Sequence, residues 1–168
     1  MGDISVFDIG LNPNLLHLLK PNVVMVGLNI ASVSRLLPES FRNFHDSSPS
    51  ANDFKIRYAF RDTEYYGAYM TDIIKRVGML DSKDLLAHLK AHPALVGENI
   101  ETFREELRDL NCSAPTILVF GVAAYNIIRD NLRTAKYSKL IKLTHYSHQI
   151  SKERYREAVL QQIKDASL

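Results

Sequence analysis

Thr144-His145-Tyr146-Ser147-His148 places two imidazoles three residues apart, beside a hydroxyl and after an apolar run. Imidazole donates, accepts or carries charge near neutral pH, so three chemistries are open to such a segment. Metal binding lacks a local ligand set, because no Cys, Asp or Glu stands close enough in sequence to complete one. A serine nucleophile lacks the G-x-S-x-G elbow that exposes it on a strained turn. A histidine that hydrogen-bonds a leaving group or an anion fits better, with His145 in that role and Ser147 and His148 beside it. Two solvated loop histidines are the plainer alternative.

A second polar cluster, Gly27-Leu28-Asn29-Ile30-Ala31-Ser32, closes an apolar run and enters a turn. It is no phosphate cradle, since neither G-x-G-x-x-G nor a Gly-Lys-Ser/Thr sequence is present. Asn29 is either a working polar group at a strand end or, with Ser32, the cap of a following helix. Residues 54–69 (FKIRYAFRDTEYYGAY) interleave aromatics with Lys55, Arg57 and Arg61. Stacking faces beside phosphate-seeking cations suit single-stranded or flipped nucleotides. The alternative is an amphipathic segment whose aromatics enter the core while its cations stay solvated.

Elements must hold these groups in place. Residues 23–28 (VVMVGL) and 116–120 (TILVF) are short, continuous, β-branched runs, as expected of strands buried on both faces of a parallel sheet. Residues 69–74 and 140–143 predict two further strands. Helical patterns fall at 13–19, at 82–92 with Ser82 as cap, and at 98–110. Two more fall at 122–132 and at 152–163, the last with Ser151 as cap. The alternation predicts an α/β fold, three layers deep, around a mostly parallel four-stranded sheet. Ligands of such sheets bind beyond the carboxyl ends of the strands, where Asn29, Asp72, Gly121 and the 144–148 segment stand.

Composition narrows the class. At 168 residues, 46% hydrophobic and 24% charged, with 7 Gly and 6 Pro, the chain is neither disordered nor low-complexity, and a single domain over 1–168 is expected. No apolar run reaches the ~18 residues that cross a bilayer. The first residues lack the pattern of a secretory signal, so a cytoplasmic protein is expected. Cys112 is the one cysteine, which excludes an internal disulfide and a cysteine-based zinc or iron–sulfur site. Neither metal nor cofactor is expected. A net charge of +2 implicates nucleic acid only if positive charge is locally concentrated.

In order along the chain, these segments resemble the uracil-DNA glycosylase superfamily over roughly residues 21–165. Gly27-Leu28-Asn29 is similar to the motif after that family's first strand. Phe41-Arg42-Asn43-Phe44-His45 is similar to the segment whose phenylalanine stacks on the extruded base, Phe44 being the match. Asp72, in Thr71-Asp72, stands where the family brings an Asn to the base edge. His145-Tyr146-Ser147 is similar to its His-Pro-Ser motif. Ile30 and Ala31 replace the Pro and Gly of the first motif, Tyr146 replaces the later Pro, and Gln149 stands at the place of the wedge leucine.

The resemblance implies base excision from DNA without a cofactor. Asn29 would position water, and His145 would hydrogen-bond the departing base. Phe44, Asp72, Ser147 and Gly27 would line the base pocket, and Arg57, Arg61 and His148 would contact DNA, weakly and salt-dependently. Competing readings are a non-catalytic nucleobase or single-strand binder of the same fold and a small-molecule hydrolase or transferase on a generic α/β sheet. An ionised Asp72 accepts only, so uracil is expected to be a poor substrate unless burial keeps that carboxyl protonated. Otherwise Asp72 turns away to pair with Lys75 or Arg76.

Overall fold

The computed structural model describes residues 14–30, 51–75, 77–79 and 81–167 of the chain. Phe44 and its neighbours 41–45, Ala31, Ser32 and Arg76 lie outside the described residues. All four expected strands are present: β1 (Lys20–Asn29), β2 (Ala68–Ile74), β3 (Thr116–Phe120) and β4 (Lys139–Leu143). They form one sheet in the order β2-β1-β3-β4, and every pairing is parallel. The fold is α/β, with an all-parallel sheet.

The unbroken apolar runs have their reason in this arrangement. Val23, Val24, Met25 and Val26 of β1 alternate between two separate cores, so both faces of the strand need apolar side chains. On one face Val24, Val26, Ile73, Ile117 and Val119 pack with Leu85, Phe103 and Ile128 from three helices, α3 (Ser82–Ala91), α4 (Pro93–Asp109) and α5 (Val122–Asn131). On the other, Met25, Leu118, Phe120 and Leu143 pack with α2 (Phe54–Phe60) and α6 (Lys152–Asp165) through Ile56, Phe60, Tyr155 and Val159. Each such side chain contributes about 1.5–3 kcal/mol on leaving water. A single turn, α1 (Leu15–Leu18), precedes the sheet.

Local chemistry sets the boundaries, and the starts of α3 and α4 are among those that differ from expectation. The cap of α3 is Asp81, whose carboxylate accepts from the Lys83 N–H at 2.6 Å, and Ser82 is the first helical residue. Helix α4 begins at Pro93 rather than near Glu98, with proline in the first turn, where its missing N–H has no intrahelical partner to lose. Ser151 caps α6 as expected, accepting from the Arg154 N–H at 3.2 Å. Gly67 enters β2 at φ +92°, where a Cβ would come within 2.7 Å of the Leu18 carbonyl oxygen, so only glycine closes this turn.

Candidate active site at the carboxyl ends of the strands

The strand order reverses direction once. From β1 the chain moves to β2 on one side, then crosses back to β3 and β4 on the other. Right-handed crossovers then require helices on opposite faces, as observed for α2 against α3–α5. The crevice of such a sheet lies outside the carboxyl ends of the two strands flanking the reversal, here β1 and β3. Asn29 is the last residue of β1, and Gly121 directly follows β3. Two strand spacings, about 10 Å, separate β1 from β4, which leads into His145.

Asn29 is held firmly. Its Nδ2 donates to the carbonyls of Met79 (2.9 Å), Ile30 (3.2 Å) and Val77 (3.3 Å). The amide nitrogen thereby joins the end of β1 to the segment after β2, a use that the spacing of residues did not suggest. Its Oδ1 keeps the acceptor capacity that a bound water would need.

The 144–150 segment is tied to α2 and α6. Gln162 accepts from the Thr144 N–H and donates to the Thr144 hydroxyl, both at 2.9 Å. The Tyr155 hydroxyl donates to the Thr144 carbonyl at 3.1 Å, and burial raises its pKa. Lys55, itself buried, donates from Nζ to the His148 carbonyl at 2.9 Å. His145 is stacked on Tyr146 with ring centroids 4.3 Å apart, and Tyr146 meets Phe120 edge-on at 5.7 Å. Gly121, at φ +90°, lies against the imidazole; a Cβ there would stand 3.4 Å from His145 Cδ2.

The state of His145 follows from its neighbours. The Ser147 N–H points to Nδ1 at 3.2 Å, with the Ser147 hydroxyl 2.8 Å from the same nitrogen. A backbone N–H can only donate, so Nδ1 is an acceptor and the ring proton of the neutral form is on Nε2. Burial depresses the imidazole pKa, which keeps the ring neutral at pH 7. His145 is therefore an uncharged Nε2–H donor, and Ser147 sets its tautomer.

Asp72 pairs in register with Gly27, and both are buried within the sheet. Its neighbour two residues earlier, Met70, packs in the α2–α6 core, so alternation puts Asp72 on that same face, the face of His145's neighbours Phe120 and Tyr146. Burial pushes its pKa up to about 7, against the lowering influence of Lys75; Glu106 raises it further. Lys75 reaches Glu106 (3.0 Å), the Thr71 hydroxyl (2.8 Å) and the main-chain carbonyl of Asp72. This shift has the direction of the exception allowed for at the sequence level, a carboxyl that burial holds toward its protonated form.

The remaining candidates are placed elsewhere or differently. Arg57 and Arg61 are exposed on α2. This helix starts near the 145–150 segment through Lys55 and leads away toward the start of β2, so Arg61, its C-cap, stands toward the amino ends of the strands, away from Asn29. Phe60 of that segment is in the core and Tyr65 packs against it, whereas Phe54 and Tyr66 are exposed. His148 has an exposed side chain, and it is its carbonyl that is engaged. Among the described residues no three His, Cys, Asp or Glu converge as a metal site, and no helix is long and apolar enough to cross a membrane. Sequence reasoning missed Lys55, Tyr155 and Gln162 as groups that position His145, and no local pattern marks them. Gly121 was expected at the strand ends, but its contact with His145 was not. Comparisons of the chain with protein-family models, with curated proteins and with solved structures find no match.

Proposed function

We propose that the protein is an N-glycosidic bond hydrolase of uracil-DNA glycosylase-like, three-layer architecture that excises an altered base from DNA at the carboxyl ends of its strands. The observation that carries this reading is His145, a neutral Nε2–H donor locked by Ser147 and seated against Gly121 at the sheet's reversal point. In the reaction a water oxygen bonds to the sugar C1′ as the C1′–N bond breaks, and the bonding pair leaves with the base. The water's proton ends on solvent or on the released base. Negative charge develops on a base oxygen, and a preorganised donor there is worth about 10²–10³ in rate. Asn29, with its nitrogen fixed on three carbonyls, offers Oδ1 to the water. Asp72 faces the base edge as a carboxyl that donates when protonated and accepts when ionised. Phe44 supplies the stacking face for the flipped base.

A non-catalytic nucleobase or single-strand binder is the second reading. It is favoured by the commitment of the Asn29 amide to main-chain carbonyls, which serves loop structure as well as water. Incubation with oligonucleotides carrying uracil, hypoxanthine, xanthine or a mismatch, followed by alkali, separates the two. Strand cleavage at the altered base is expected. Retention of the oligonucleotide without alkali-labile sites would replace the enzyme by the binder.

A further inference from the structure

The positive charge of this chain is concentrated on one edge. From Arg129 to Lys142 stand five cations (Arg129, Arg133, Lys136, Lys139 and Lys142) and one acid, Asp130, a net +4 within a chain whose total is +2. The rest of the molecule is therefore net negative. All five cations are exposed. Arg129 pairs with Asp130 at 2.8 Å, but among the described residues no carboxylate lies within ion-pair distance of Arg133, Lys136, Lys139 or Lys142.

These residues run from the end of α5 through the 3-10 turn Thr134–Lys136 and along β4, the outer strand of the sheet. At the carboxyl end of β4, the half-buried Tyr125 ring lies between Lys142 (6.0 Å from its centroid) and Arg129 (5.8 Å). The strip then leads directly into Thr144-His145. Lysines on an outer strand discourage edge-to-edge pairing, which accounts for Lys139 and Lys142 but not for Arg133 and Lys136, which lie off the strand.

We infer that this α5–β4 edge is the surface that binds the nucleic-acid backbone and guides it to the strand ends. The five residues of β4 span about 16 Å, a length over which one strand of a duplex presents about five phosphates. Exposed cations without carboxylate partners on both faces of an outer strand and on the turn before it, with an aromatic face beside Lys142, match a charged polymer better than a point anion. An anionic membrane is the poorer fit, because among the described residues only Val122 of the exposed large hydrophobics belongs to this edge. The choice of nucleic acid as partner rests on the proposed function, whereas the location of the surface does not.

The test is the salt dependence of binding to a fluorescent single-stranded 20-mer, read by anisotropy. The triple variant K136Q/K139Q/K142Q changes exposed positions only and is expected to reduce the slope of log K against log[salt] by about 2, at ~0.7 per lost contact. An unchanged slope in this variant, with a reduced one in R57Q/R61Q, overturns the inference in favour of α2. Sedimentation with phosphatidylserine vesicles but no binding to the oligonucleotide also overturns it. Binding that weakens in the triple variant without base excision in either protein supports the surface while removing the catalytic reading. Excision that persists with an unaltered slope does the reverse.

Discussion

At the scale of single residues, two side chains at the strand ends have different second roles, and their variants should differ accordingly. His145→Ala removes the Nε2–H donor and is expected to lower single-turnover excision at least ~10²-fold with little change in melting temperature. Asn29→Ala should lower excision similarly. It also leaves the carbonyls of Val77 and Met79 without their donor, a cost of about 1–3 kcal/mol that thermal unfolding would register. Normal rates in both variants would move catalysis elsewhere. Asp72 couples specificity to pH. Its folded pKa of about 7 lies above the ordinary 3.8, so between those values the native state holds a proton that the unfolded chain has lost. Stability therefore falls as pH rises from about 4 to about 7, and stays lower above. Asp72→Asn should be more stable than the wild type at pH 8, by on the order of a few kcal/mol, and should show no advantage at pH 4. Uracil excision by the wild type should decline above pH 7, as the donor is lost, and the variant should lack that decline. Parallel profiles and equal stabilities at both pH values would place the carboxyl outside the base pocket.

Elements show why some of this was legible and some was not. The runs at 23–28 and 116–120 announce buried parallel strands because both of their faces meet apolar layers, and the structure places β1 and β3 at the centre of the sheet. Helix starts were less certain, since Asp81 and Ser82 are both good caps and only the tertiary path decides between them. The start of α4 was readable from Pro93 but was obscured by Gly97, a poor helix former that interrupts the pattern after its first turn. The supports of His145 were illegible because each joins residues far apart in the chain. Lys55 to His148 is the clearest, a lysine between Phe54 and Ile56 whose burial nothing nearby announces. Arg156 likewise closes the end of α2 by donating to the carbonyls of Tyr58, Ala59 and Arg61, each at 2.9 Å. Lys55→Met keeps the apolar stem and removes the ammonium. Amide exchange at His148 and Ile150, whose N–H groups bond within this segment, should accelerate at least ~10-fold, because a hydrogen bond to a charged donor is lost. Unchanged exchange would show that α6 alone holds the segment.

For the molecule as a whole, the sheet order makes β1 and β3 the inner strands and leaves β2 and β4 as the outer ones. Native-state hydrogen exchange should find the amides of 23–27 and 117–119 opening only with global unfolding, and those of β4 opening at lower free energy. Faster exchange in β1 than in β4 would contradict a core centred on the reversal point. The same order has a consequence for biosynthesis. Roughly ninety residues separate the end of β1 from the start of β3, which at about 5–20 residues per second is about 4–18 s of translation. Throughout that interval the side of Val23-Val24-Met25-Val26 destined for β3 is an unpaired template at the ribosome, open to other nascent chains. A chain halted before residue 116 has no means of closing it, so the middle of the finished sheet stays open until β3 is made.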